Sequence, residues 1–267
     1  MIGVFDSGVG GLTVLHELLV SLPEEDYVYV GDSGHFPYGT KTPEELTARA
    51  VAITEFLFGK DIKLLVIACN SATAAAGPLI RQMGEEAGIP VLTVVGPEAE
   101  IAGAITDSGR IGVLATPATV ASGAYGQALG NLGREFMVTE VSAPDLAPII
   151  QGGFQFDDAV QRTVRGYCAP LKEAEVDTLI LGCTHYPLIA PMLQRLLGRD
   201  VRLVTAGHAI AGAIQRNLAQ RGNLAESGQE GEYSFLVTGD KDEFETVGTR
   251  FLQLPLHGKV EHIELGE

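Results

Sequence analysis

Short aliphatic runs alternate along this chain with longer stretches in which apolar residues recur every three or four positions. The runs at 2–5, 27–30, 64–68, 91–94, 111–115, 136–140, 178–181, 201–204 and 233–237 are rich in Val, Ile and Leu and read as strands. Stretches such as 43–58, 73–86, 162–174 and 208–220 carry helical spacing. Near-continuous apolar strands alternating with helices predict an α/β chain whose mainly parallel sheets are buried on both faces. The polar, glycine-containing stretch 222–232 reads as a surface loop rather than a linker.

The pattern also repeats. IGVFDSGVGG from Ile2 and IGVLATPAT from Ile111 share an Ile-Gly-Val strand with Ser7 or Thr116 at the same offset. LLVIACNSA around Cys69 and TLILGCTHYP around Cys183 share a strand, a small residue, a cysteine and then polar residues. Both pairs stand at nearly one spacing and in one order. That predicts two similar three-layer α/β domains related by a pseudo-twofold axis, with the active site in the cleft between them. The expected division gives residues 1–95 with 208–267 to a discontinuous first domain carrying Asp6 and Cys69. Residues 96–207 form the second, carrying Thr116, Cys183 and His185. Chance similarity between Val- and Ile-rich strands is the competing explanation.

Composition narrows the function classes. With 46% hydrophobic residues the chain can build full cores without disulfide staples. Its three cysteines are far apart and form neither a disulfide framework nor a CxxC pair, which fits a reduced, cytoplasmic protein. The opening residues MIGVFDSGVGG lack the basic segment of a signal peptide, and no apolar run is long enough to span a membrane. A net charge of −16 argues against nucleic-acid binding. An anionic substrate would have to be held by local donors, because the overall field repels it.

The reactive side chains cluster where strands end: Asp6-Ser7, Cys69-Asn70-Ser71, Thr116 and Cys183-Thr184-His185. Two facing cysteines can act as acid and base on opposite faces of one carbon, inverting a stereocentre without a cofactor. An ordinary thiol, with a pKa of about 8.5, is only a few per cent thiolate at neutral pH and needs a supporting group. His185 stands beside Cys183 in sequence, and Asp6 would flank Cys69 if their strands are neighbours. Alternatively, the cysteines are small buried hydrophobes, the reading kept for Cys168. DSGVGG is either a turn whose glycines present N–H groups while Asp6 meets a cation or thiol, or a strand-to-helix turn capped by Asp6 or Ser7. A dinucleotide fingerprint is disfavoured because Thr13 stands where its third glycine would be. Asn70, Ser71, Thr116, Thr119 and Thr184 offer neutral hydrogen bonds to carboxylates, though singly each is more often a cap. HFPYGT at 35–40 reads as a cleft lip or a plain turn. His16, His35, His208, His257 and His262 show no metal-ligand spacing, so no metal site is expected.

DSGVGG, PYG at 37–39, CNSA at 69–72, IGVLATPAT at 111–119, GCTHYP at 182–187 and TGD at 238–240 together resemble the glutamate racemases of the aspartate/glutamate racemase family. The resemblance implies a cofactor-independent enzyme with two α/β domains that interconverts L- and D-glutamate for peptidoglycan synthesis in the cytoplasm, in a family that often forms homodimers. Carried over, Cys69 would act on the α-hydrogen of the D-isomer and Cys183 on that of the L-isomer. Asp6 would support Cys69, and His185 would support Cys183. Asp6, Ser7, Tyr38, Gly39, Asn70, Ser71, Thr184 and His185 would contact the amino acid, with Thr116 beside them. A related racemase of aspartate or another small acid, or a non-catalytic amino-acid-binding relative, are the alternatives. Three departures stand out: Ser71 for the family's usual Thr, Gln151 for a Glu after an aliphatic run, and Thr205-Ala206 for Asp-Ser.

Overall fold

A computed structural model describes residues 1–153, 157–226, 228–256 and 258–266. His257 therefore lies outside the described residues, as does Ser227 in the expected loop. Two parallel sheets organise the chain. The first comprises β1 (Ile2–Asp6), β2 (Tyr27–Gly31), β3 (Leu64–Ile67), β4 (Val91–Thr93), β9 (Tyr233–Val237) and β10 (Val260–His262). Their order is β10-β9-β2-β1-β3-β4. The second comprises β5 (Arg110–Ala115), β6 (Met137–Ser142), β7 (Thr178–Gly182) and β8 (Arg202–Val204), in the order β6-β5-β7-β8. All described pairings are parallel. The order β2-β1-β3-β4 recurs as β6-β5-β7-β8, so the strand ahead of Cys69 and the strand ahead of Cys183 hold equivalent places.

The helices are α1 (Leu12–Ser21), α2 (Pro43–Phe58), α3 (Asn70–Ala87), α4 (Val95–Ile105), α5 (Pro117–Ser122), α6 (Ala124–Gly130), α7 (Leu146–Gln151), α8 (Asp158–Glu173), α9 (Ala190–Leu197), α10 (Ala206–Arg221) and α11 (Lys241–Leu252). Local chemistry sets several starts. Thr42 and Glu45 form a reciprocal capping box at α2, with Pro43 in the first turn. Asp157 caps α8 and Asp240 caps α11. The central strands β1 and β7 are buried throughout, as expected of parallel strands covered on both faces. One apolar cluster runs from Ile2 and Leu64 through Ile210 to Leu114 and Leu179, so α10 joins the two sheets through a continuous core.

Three expectations shift. The helix after Cys69 begins at Asn70, not 73, because the Cys69 sulfur accepts the Ala72 N–H and serves as its cap. The sixth strand spans Met137–Ser142 rather than 136–140; it is an edge strand whose partly exposed residues blur its apolar run. Strand β10 went unread, since Val260 is the one buried position in its three residues.

Candidate active site

Each reactive group occupies the carboxyl end of a central strand. Asp6 ends β1, Cys69 follows β3, Thr116 follows β5, and Cys183 follows β7. Because β1 and β3 are neighbours in register, Asp6 lies beside the Cys69 turn. Cys69 and Cys183, one from each sheet, line a single narrow cavity with Ser7, Tyr38, Gly39, Asn70, Ser71, Thr116, Thr184 and His185. The cavity, about 20 Å³, has room for roughly one water.

Close approach of the two halves depends on glycine. A Cβ on Gly10 would stand 2.4 Å from both His185 Nδ1 and Thr184 Oγ1. One on Gly11 would stand 2.5 Å from the Asp6 Cβ. The DSGVGG loop is thus a packing device as well as a turn. Neither Asp6 nor Ser7 caps α1; instead the Gly8 N–H donates to Asp6 Oδ1 at 3.0 Å. Thr184 Oγ1 donates to Asp6 Oδ2 at 3.2 Å, which ties the Cys183 turn to the end of β1.

Burial dominates the electrostatics. It pushes the Asp6 carboxyl up to about 6, against donors from Gly11, Gly8, Thr184 and Ser7 that favour the anion. The Cys69 thiol is pushed up to about 12 by burial and then by the Asp6 charge, partly offset by donors from Ala72 and Ser7. Burial raises Cys183 well above an ordinary thiol; the His185 backbone N–H opposes this, while the nearby acidic groups add to it. Both thiols therefore rest protonated in the closed cavity. Burial also lowers His185 to about 3, so its ring is neutral at physiological pH. His185 Nε2 lies 3.0 Å from Gln151 Oε1, an acceptor, which places the ring proton on Nε2. Nδ1 then offers a lone pair toward Cys183 Sγ, 3.9 Å away. Phe36 stacks on this ring and Phe251 meets it edge-on, fixing its plane.

The Asp/Glu/Hydantoin racemase family model matches residues 7–224, which hold Cys69 and Cys183. The chain belongs to that family. It is 41% identical to the glutamate racemase of Geobacter metallireducens over 94% of this chain and 92% of the relative. A glutamate racemase isoform from Bacillus anthracis superposes with a TM-score of 0.93 at 35% identity, covering 99% of this chain and 97% of the other. Glutamate racemase from Francisella tularensis, solved in complex with D-glutamate, gives 0.90 at 31% identity over 98% and 97%. Membership in this racemase family makes the chain an isomerase.

The cavity differs in detail from the sequence expectation. Asp6 does not line it; the residue is fully buried and reaches it through Thr184. Thr119 likewise sits behind Thr116, its hydroxyl 3.1 Å from that of Thr116. Ser71 Oγ meets Thr116 Oγ1 at 2.9 Å, so hydroxyls from the two halves satisfy one another across the cleft. Residues 36–40 of the lip line the cavity, whereas His35 turns to Asp32, and the Tyr38 hydroxyl is committed to Asp32 Oδ2 at 2.5 Å.

Asp32 was not singled out from the sequence. Arg49 donates to both its oxygens at 3.0 Å, and Thr238 donates at 2.7 Å. Burial raises this carboxyl, yet the donors Arg49, Tyr38 and Thr238 together hold it below the ordinary range. The hub anchors the lip and explains the TGD motif, whose Thr238 joins it while Asp240 caps α11. Its signal was its place just after a strand, like that of Asp6. Also missed were Glu98 and Tyr125, which hydrogen-bond Asn70. Glu98 falls on the stripe Val95, Glu98, Ala99, Ala102, a carboxylate in an otherwise apolar helix face.

Proposed function

We propose that this chain interconverts L- and D-glutamate without a cofactor, using Cys69 and Cys183 as opposed acid and base, and supplies D-glutamate for peptidoglycan synthesis in the cytoplasm. The carrying observation is that two cysteines at equivalent strand ends of two sheets face one cavity. The Cys69 thiolate takes the α-hydrogen of the D-isomer, and Cys183 S–H delivers its proton to the opposite face. Cys69 ends as the thiol and Cys183 as the thiolate; the reverse reaction exchanges the roles. Asp6 is the base matched to the first thiol, and His185 Nδ1 accepts from the second. The substrate's ammonium group adds the positive charge that makes a thiolate accessible in a buried site. Ser71 and Thr116 exchange their mutual hydrogen bond, and Ser7 and Thr184 their bonds to Asp6, for bonds to the substrate carboxylates, with Asn70 lining the same cavity. In this reading residues 1–95 with 208–267 form one domain and 96–207 the other, and they separate to admit glutamate.

Racemisation of D-glutamate and D-aspartate by wild type, Cys69→Ser and Cys183→Ser, followed by circular dichroism, tests this. Glutamate turnover by wild type and a loss of about 10²- to 10⁴-fold in each variant are expected. Preference for aspartate would replace the substrate, and full activity in either variant would overturn the thiol pair.

A further inference from the structure

Asn70, Glu98 and Tyr125 form a closed triad of buried side chains beside the cavity. The Asn70 amide Nδ2 donates to Glu98 Oε2 at 2.9 Å and to Tyr125 Oη at 2.7 Å, and Tyr125 Oη donates to the same Oε2 at 2.6 Å. Two atoms of the triad, Asn70 Oδ1 and Glu98 Oε1, are buried with no partner among the described residues. Both are acceptors as long as Glu98 is a carboxylate, so both forfeit a hydrogen bond, at a cost buried polar groups rarely bear. A single proton on Oε1, donated to Asn70 Oδ1, would remove both deficits by closing an acid–amide ring beside the existing N–H···O bond.

We propose that Glu98 is a positioning residue held as the neutral acid, closing an acid–amide ring with Asn70 and thereby fixing the turn that carries Cys69. The inference rests on the racemase reading for its consequence. A neutral Glu98 also spares Cys183 a negative neighbour when it must become a thiolate. The surroundings favour the proton. Around the carboxyl stand Tyr125 from α6, Asn70 from α3 and Cys183 from the end of β7, none of them a cation. The other titratable groups on packed elements are engaged or exposed: Arg81 of α3 bonds Thr93, Arg202 of β8 pairs with Asp107, and Glu100, His208 and Arg216 are exposed. Burial accordingly pushes Glu98 up to about 8. A buried carboxylic acid kept neutral so that it can donate is an established device.

Three measurements test the ring. Infrared difference spectra between wild type and Glu98→Gln at pH 6.5 should show the C=O stretch of a protonated carboxyl in wild type alone. Wild-type kcat/KM should fall as pH rises through about 8, as deprotonation sets Oε1 against Oδ1, and Glu98→Gln should lack that limb. Glu98→Leu should lose about 100-fold in kcat/KM from the displaced turn, with Glu98→Gln rescuing most of it by rebuilding the ring as an amide pair. No protonated carboxyl in the difference spectrum, or an unchanged alkaline limb in Glu98→Gln, would overturn the proposal. The spectrum requires no turnover, so failure of the ring is distinguishable from failure of the racemase reading. It also remains informative if Glu98→Leu does not fold.

Discussion

At the residue scale, the site trades stability for reactivity, and Asp6 shows the trade most clearly. Its folded pKa, about 6, exceeds the ~3.9 of an unfolded chain. Its contribution to stability is therefore fully present below about pH 4 and is lost as pH rises through 6. The ionised form proposed to support Cys69 is the form the fold tolerates least. Two consequences follow. Wild-type kcat/KM should fall as pH drops through about 6, and a pH–rate profile checks this. Asp6→Asn should lack activity yet unfold at a higher temperature than wild type at pH 8, by an amount corresponding to at most roughly 3 kcal/mol. His185, neutral down to about 3, is excluded as the source of that acidic limb. The candidate site residues were legible because they are reactive types at strand ends. Glu98 and Tyr125 were not, because their importance lies in contacts between segments far apart in sequence. Nor was the tautomer of His185 legible, since it depends on where the Gln151 amide lands.

At the scale of elements, parallel strands end in turns that are also helix caps, and these turns hold the reactive atoms. Cys69 and Thr116 each accept an N–H of the helix they begin. The competing readings of these residues in the sequence are therefore not exclusive: a helix cap and a cavity-lining residue are here one side chain. The glycines refine the point. Sequence showed them as turn formers, whereas the structure uses Gly10 to let Thr184 and His185 approach. Gly10→Ala introduces a Cβ 2.4 Å from both side chains and should cost about 1–3 kcal/mol in stability. It should also abolish most turnover, because the displaced groups carry the Cys183 turn. Thermal unfolding together with initial rates checks both effects; a fully active, equally stable variant would contradict this packing. Element types and order were readable from aliphatic spacing. The edge strand β10 and the brief helices α5, α6 and α7 were not, since too few residues in each express a period.

At the scale of the whole molecule, the two sheets repeat one strand order, and their equivalent ends meet at the cavity. The internal similarity around the two cysteines was the most informative feature of the sequence, since it implied facing halves before any contact was known. What it could not convey is how tightly they close. Gly39 on the lip lies against Thr116, and a Cβ there would stand 2.7 Å from the Thr116 Cβ. Gly39→Ala should hold the cleft open and raise KM for glutamate about tenfold, with a smaller change in kcat, as steady-state kinetics would show. A fall in kcat at unchanged KM would place the damage in the chemistry rather than in closure.

In the proposed mechanism two thiols on opposite faces of one carbon share the proton transfer. Incubation of D-glutamate in deuterated water, sampled at low conversion by mass spectrometry, tests it most directly. With opposed thiols, L-glutamate formed early carries solvent deuterium at the α-carbon while the remaining D-glutamate stays unlabelled. Equal early labelling of substrate and product would mean that one base serves both faces, and would contradict the account.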